Sequence, residues 1–113
     1  MVMLLPVPPR PIDGRTRYQP TAAGAESNVA AFAAALGVRS AWVSRLGRDA
    51  FGTYVLEELT RQGVDVSAVE TDGLRPTAVA FKEVSKTETQ IAYFREGSAA
   101  SAMDLATAER VRR

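Results

Sequence analysis

The chain has 113 residues, with 14 Lys or Arg against 13 Asp or Glu, so its net charge is +1. This length suits one small domain, and the balanced charge gives no electrostatic footprint for nucleic acid or an anionic membrane. The absence of Cys and His excludes disulfides, thiolate-metal sites and imidazole catalysis. No apolar run approaches the roughly 18 residues of a membrane span and no leader pattern is recognisable, so we expect a cytoplasmic protein with a small-molecule partner.

The N-terminal region is rich in proline. Residues 2–5 form a short apolar run that predicts a strand, which the prolines between Pro6 and Pro11 interrupt. The Asp13-Gly14 pair predicts a turn, and the residues that follow it can run extended as far as Thr21.

A helix is predicted to begin near Ser27, after a turn at Gly24. Its apolar residues have the i, i+3, i+4, i+7 spacing of one packed helix face, which consists of Val29, Phe32, Ala33 and Leu36. Gly37 follows directly, at the position where a left-handed helix cap favours glycine. We expect the next strand over residues 40–46.

A second helix is predicted from the N-cap residue Asp49 to Gly63, with Phe51, Val55 and Leu59 on one face. The residues after it, 64–69, alternate between apolar and polar and predict a short strand. The next two predicted strands form a hairpin, with strands at 77–84 and 89–94 and a turn at 85–88. A weak helical pattern runs from Met103 to Arg113.

Four residues are candidates for binding a small molecule. Gly24 precedes a helix N-terminus, which presents N–H groups to an oxygen-rich ligand, although a simple turn has the same pattern. The amide of Asn28 can donate and accept hydrogen bonds at once, which suits a ligand hydroxyl, although it can also cap the helix backbone. Tyr93 and Arg95 are two apart on a predicted strand and therefore share a face, although a solvated edge-strand arginine is the alternative.

Two further glycines, Gly47 and Gly52, bracket Asp49. They lack the Gly-x-Gly pattern of a dinucleotide-binding loop before a helix. We interpret them as parts of a structural turn and assign them no chemistry.

The spacing of Asn28, Ala30, Gly37 and Gly47 resembles the first signature of the ribokinase-like (PfkB) carbohydrate kinases. Many members have a small residue two positions before the asparagine, whereas this chain has Glu26. That variant, together with YFREGSAAS at 93–101, resembles the 2-keto-3-deoxygluconate kinase branch. The resemblance implies an α/β fold, namely a partial Rossmann-like three-layer ribokinase fold with β lid strands at about 15–22, 77–84 and 89–95 and a βα core at about 23–70.

The resemblance also implies roles for the candidate residues. Gly24 and Asn28 would contact the sugar, Arg95 the carboxylate of a keto sugar acid, and Tyr93 its keto or hydroxyl oxygen. Related kinases often carry a further aromatic in the preceding lid strand. This chain has Ala80 there, and its Phe81 lies on the opposite face.

In the family, a Gly-Ala-Gly-Asp turn supplies the catalytic base, and this sequence contains no such turn. We therefore interpret residues 1–113 as the N-terminal part of a PfkB-type sugar kinase domain, with a shortened first strand. The catalytic base and the sites for ATP and Mg²⁺ are expected beyond residue 113, so these residues alone should be inactive. Their aspartates lie in turns, caps or strand starts, and we assign none of them to catalysis or to a metal.

Two alternatives remain open at this point. One is a PfkB kinase for another sugar, such as fructose or ribose. The other is a non-catalytic carbohydrate-binding module that retains the sugar half alone. In each case we expect a sugar or sugar acid as the partner, no nucleic acid or membrane, and homo-oligomerisation through the lid strands.

Overall fold

The computed structural model describes residues 1–112. In chain order the strands and helices are β1 (Val2–Pro6), β2 (Tyr18–Ala22), α1 (Ala25–Ala35), β3 (Arg45–Gly47), α2 (Ala50–Arg61), β4 (Glu70–Asp72), β5 (Val79–Val84), β6 (Thr89–Phe94) and α3 (Leu105–Val111). A single 3₁₀ turn, Ala100–Ala102, precedes α3. The fold is α/β, as expected.

The main sheet has four strands in the order β2-β1-β5-β6. The strand β1 pairs antiparallel with β2 and parallel with β5, and β5 pairs antiparallel with β6. The predicted hairpin is confirmed, because Val84 pairs with Thr89 and the Ser85 N–H donates to the Glu88 carbonyl across its turn at 2.9 Å. The short strands β3 and β4 form a separate parallel pair.

The two faces of the main sheet have different surroundings, since side chains alternate along each strand. Val2 and Leu4 of β1 pack in the core, and their face includes Phe81 of β5. The opposite face carries Met3, Ala80 and Tyr93, because Met3 pairs with Ala80 and Ala80 with Tyr93. Tyr93 therefore lies on the sheet face opposite to that of Val2 and Leu4.

The core is formed by β1, α1, β3, α2 and the residues next to β3 and α2. Its buried apolar members are Val2, Ala30, Trp42, Leu46, Val55, Leu59 and Val64. The second helix has its predicted N-cap at Asp49, and the predicted core residues Val55 and Leu59 are buried. Phe51, predicted on the same face, is 39% exposed because it lies in the first turn at the edge of the core.

The predicted packed face of α1 is wrong. Val29, Phe32 and Leu36 are 70%, 69% and 70% exposed. The side that faces the core consists of small residues at 27, 30, 31 and 34, of which Ser27 and Ala30 are buried. Small side chains let the helix approach the core closely, and the larger apolar residues then point outwards.

Two predicted strands also differ from the structure. The segment 40–46 forms a strand only at Arg45–Gly47, with one isolated bridge between Ala41 and Asp65. Among the alternating residues 64–69, only Asp65 forms a bridge and residues 67–68 form a turn, and the strand follows at Glu70–Asp72. Asp65 explains the difference, because its carboxylate accepts the Ser67 N–H at 2.9 Å and so favours a turn over a ladder.

The remaining predicted elements are present. The N-terminal run forms β1, the extended segment before Thr21 forms part of β2, and the C-terminal pattern forms α3 with Asp104 as its N-cap. Arg113, with which the C-terminal pattern was predicted to end, lies outside the described residues. None of the helices within residues 1–112 has the length and apolar character needed to cross a bilayer.

Candidate functional site

A cavity of about 560 Å³ opens where the N-terminus of α1, the segment around β3 and the segment after β6 meet. Its volume lies within the range of about 300–1,000 Å³ that is usual for small-molecule sites. Much of the lining is apolar, with Met1, Trp42 and Ala78 among its residues. Such a wall with a few polar groups is typical of a site that orients a small ligand.

The N-terminus of α1 forms one side of the cavity through Gly24, Glu26 and Ser27. Gly24 has φ of 140°, a backbone conformation that favours glycine, and no side chain caps the helix. Ser27 Oγ donates to the Gly24 carbonyl at 3.1 Å. The partial positive charge of a helix N-terminus favours an anionic or oxygen-rich ligand.

The end of β6 forms another side of the cavity. Arg95 lies directly after the strand and lines the cavity, and its Cζ lies 4.4 Å from the centroid of the Tyr93 ring. The shared face of these two residues follows from strand alternation. The opposite face carries Phe81, which contacts Tyr18 and Phe94 edge to face at centroid distances of 5.3 Å and 5.7 Å. No aromatic side chain of β5 therefore lies on the same face of the sheet as Tyr93.

A tight turn returns the chain from β6 to the cavity. The Ser98 N–H donates to the Arg95 carbonyl at 3.2 Å, and Gly97 has φ of 67°, which favours glycine at this turn position. The Ala99 N–H then donates to the Pro76 carbonyl at 2.8 Å. This anchoring places both Arg95 and Ser98 on the cavity wall.

Asn28 lies outside this cavity. It is exposed on α1 and is not among the residues that line the cavity, and its backbone N–H donates to the Gly24 carbonyl at 2.9 Å. The structure thus brings Gly24 and Arg95 to one cavity and packs Tyr93 against Arg95. The sugar-binding roles of all four residues stay predictions.

Sequence reasoning missed Arg45, which also lines the cavity. Its Nη1 donates to the Ala102 carbonyl at 3.3 Å, and its Nε lies 3.5 Å from Asp72 Oδ2. Hydrogen bonds from the backbone N–H of Leu74, and further ones with Arg75, hold the pKa of Asp72 below its usual value against the opposing effect of burial. Arg45 therefore ties the β3–β4 pair to the 3₁₀ turn beside the cavity, a relation that depends on strand pairing and has no local sequence signal.

Gly47, Gly52 and Asp49 form a tightly packed corner between β3 and α2. Asp49 Oδ1 accepts the Gly52 N–H at 2.8 Å, and its Oδ2 accepts the Thr77 N–H at 2.8 Å. Burial raises the pKa of Asp49, but these hydrogen bonds outweigh it and leave the pKa below its usual value. A Cβ on Gly47 would lie 2.5 Å from Thr77 N, and one on Gly52 would lie 2.3 Å from the Gly47 carbonyl oxygen. Both glycines are therefore needed for the close packing of this corner.

The mixed sheet, the helix N-terminus and the arginine at one cavity define an α/β protein with a cavity of the size of a small-molecule site. The sequence pattern of the pfkB family carbohydrate kinases matches residues 9–111. The chain therefore belongs to this family of phosphotransferases.

Individual relatives agree with this assignment. The chain is 47% identical over 86 residues to the 2-dehydro-3-deoxygluconokinase of Bacillus subtilis (strain 168), a match that covers 74% of the chain and 26% of the relative. It matches the crystal structure of a PfkB protein from Polaromonas sp. JS666 with a TM-score of 0.87 and 37% identity, over 95% of the chain and 36% of that protein. An uncharacterized sugar kinase from Pyrococcus horikoshii in complex with ATP matches with a TM-score of 0.83 and 28% identity, over 95% and 35%.

The chain thus spans about a quarter to a third of the length of these proteins. The expected ribokinase-like fold and the resemblance to 2-keto-3-deoxygluconate kinases are confirmed by these matches, since 2-dehydro-3-deoxygluconate is another name for the same sugar acid.

Proposed function

We propose that the protein to which these residues belong transfers a phosphoryl group from ATP to a keto-deoxy sugar acid such as 2-keto-3-deoxygluconate. The observation that carries the proposal is Arg95, which lines the cavity and stacks on Tyr93. A guanidinium binds a carboxylate through two parallel hydrogen bonds, and a phenol can donate to the neighbouring keto oxygen. This pair of groups complements the acid end of the substrate.

The charges around the cavity support Arg95 as the residue that binds the carboxylate. Arg45 is already close to the carboxylates of Asp72 and Glu70, whereas Arg95 forms no salt bridge within residues 1–112. Glu26 and Glu96 also line the cavity and would repel a carboxylate. Arg95 is therefore the cation best placed to receive it.

Two further residues contribute to the proposal, Gly24, which lines the cavity, and Asn28, which lies outside it. Gly24 would approach the sugar through its backbone, and Asn28 would bind a hydroxyl. We assign the binding of ATP and Mg²⁺ to residues beyond 113, because the Gly-Ala-Gly-Asp turn of the family does not occur in this sequence. A cytoplasmic location and pairing of two copies through the lid strands, where all residues of β6 are exposed, complete the proposal.

A panel of ligands tests this function. Titration calorimetry with 2-keto-3-deoxygluconate, fructose and ribose should give an affinity at least about tenfold higher for the sugar acid, because only this ligand has a carboxylate for Arg95. Equal or tighter binding of fructose or ribose would favour a kinase for a neutral sugar. Binding of the sugar acid in a complete protein that shows no ATP turnover would favour a carbohydrate-binding module.

A further inference from the structure

Four serines line the cavity, and they fall into two groups. Ser27 Oγ donates to the Gly24 carbonyl, and Ser101 Oγ donates to the Ser98 carbonyl at 2.6 Å. Ser44 and Ser98 are only 6% and 2% exposed, yet within residues 1–112 neither Oγ makes a hydrogen bond and neither is completely inaccessible. These two hydroxyls are available to a ligand.

We propose that Ser44 and Ser98 form a hydroxyl subsite, which binds the hydroxyl-bearing tail of the sugar acid. The inference rests on the proposed function and adds the residues that select the tail. A buried hydroxyl without a partner costs free energy, so a ligand that supplies a partner gains affinity at such a position. Because a serine hydroxyl both donates and accepts, it matches the hydroxyls of a polyol chain.

The positions of Arg95 and the two serines determine the orientation of the ligand in the cavity. The turn from Arg95 to Ser98 keeps their Cα atoms within about 7 Å of each other. The guanidinium of Arg95 lies over the exposed ring of Tyr93, whereas Ser98 is almost completely buried. Ser44 follows Trp42 and precedes Leu46 on the core side of its segment. The carboxylate would therefore bind at the exposed part of the cavity and the hydroxylated tail at the buried part.

Two ligands distinguish binding of the carboxylate end from binding of the hydroxylated tail. Pyruvate has the carboxylate and the keto oxygen of 2-keto-3-deoxygluconate but lacks the tail, so it can use Arg95 and Tyr93 alone. Ligand-observed NMR titrations of both compounds would be performed with the wild type, Ser44→Ala, Ser98→Ala and the double variant. Ser67→Ala serves as the matched control, because Ser67 is exposed and lies outside this cavity. Near-ultraviolet circular dichroism of the buried Trp42 reports on the fold of each variant.

Each single substitution should weaken binding of the sugar acid by about 3- to 10-fold, the usual effect of one hydrogen bond, and leave pyruvate binding unchanged. Ser67→Ala should change neither affinity. Unchanged binding of the sugar acid by the double variant would overturn the hydroxyl subsite, and Arg95→Lys would still test the proposed function in the same assay. Equal losses of affinity for the sugar acid and for pyruvate would also overturn the hydroxyl subsite, since the serines would then affect binding through the stability of the fold. A wild type that binds neither ligand would overturn the proposed function and the subsite together.

Discussion

Asp49 joins three parts of the chain through a single side chain. One carboxylate oxygen caps α2 at Gly52, and the other accepts the Thr77 N–H in front of β5. Thr77 in turn accepts the Gly47 N–H through its hydroxyl at 2.9 Å. This residue therefore fixes the position of the β3–α2 corner relative to β5, the first strand of the β5–β6 hairpin.

The substitution Asp49→Asn should lower the free energy of unfolding at neutral pH by about 0.5–2 kcal/mol, because an amide group cannot accept at both positions. The folded-state pKa of Asp49 is lowered, so the carboxylate contributes stability that is present above the unfolded value of about 3.9 and is lost as the pH falls below it. The difference between wild type and variant should therefore shrink in acid. Urea unfolding monitored by Trp42 fluorescence at pH 7 and pH 3 measures it.

Glu57→Gln provides the control for that experiment. Glu57 is an exposed carboxylate on the same helix, so its substitution should leave stability within about 0.5 kcal/mol. Equal stabilities of wild type and Asp49→Asn at pH 7 would show that the corner does not depend on this carboxylate.

At the scale of residues, the sequence predicts the features that depend on the alternation of side chains along a strand or on a helix cap. The shared face of Tyr93 and Arg95 and the capping role of Asp49 follow from local rules. Local rules do not predict that Arg45, Ser44 and Ser98 line the cavity. Their positions depend on the β3–β4 pair and on the anchored turn after β6, which are formed by contacts between residues distant in sequence.

At the scale of elements, α1 shows the limit of periodicity. Two stripes of this helix have the same i, i+3, i+4, i+7 spacing, one of large apolar residues from Val29 to Leu36 and one of small residues from Ser27 to Ala34. Hydrophobicity favours the first stripe, but the structure buries the second. Close helix packing selects small side chains, and no local pattern shows that such an approach is required.

This arrangement predicts that substitutions at positions 30 and 32 differ in their effect on stability. Ala30→Leu should destabilise the chain by about 1–3 kcal/mol, because Ala30 is 7% exposed and a larger side chain in a packed core forces neighbouring side chains or the backbone to shift. Phe32→Ala should change the free energy of unfolding by no more than about 0.5 kcal/mol, because Phe32 is 69% exposed. Chemical denaturation of both variants measures the difference. A large loss for Phe32→Ala with little effect of Ala30→Leu would restore the face expected from the sequence.

At the scale of the whole molecule, the binding and catalytic parts of the proposed reaction are separate. In the proposed function, the cavity, the helix N-terminus and Arg95 bind and orient the sugar acid. Phosphoryl transfer also requires a base for the acceptor hydroxyl and groups that stabilise the charge of the transferred phosphate. We assign those groups to residues beyond the chain.

The chain alone should therefore not catalyse phosphoryl transfer, with a rate several powers of ten below that of a complete kinase. A coupled assay of ADP release with 2-keto-3-deoxygluconate and ATP measures this directly. Boiled protein provides the background. Turnover above that background would require a nucleotide site and a base within these residues.

The affinity of the Arg95→Lys variant for 2-keto-3-deoxygluconate tests the central claim most directly, because lysine keeps the charge but loses the two-pronged pairing with a carboxylate. Fructose serves as the neutral ligand, and Arg39→Lys as the control for an exposed arginine outside the cavity. We predict that Arg95→Lys loses about 1–3 kcal/mol of binding free energy for the sugar acid and nearly none for fructose, while Arg39→Lys changes neither. Equal losses for the two ligands, or an unchanged affinity for the sugar acid, would contradict the assignment of Arg95 to the carboxylate.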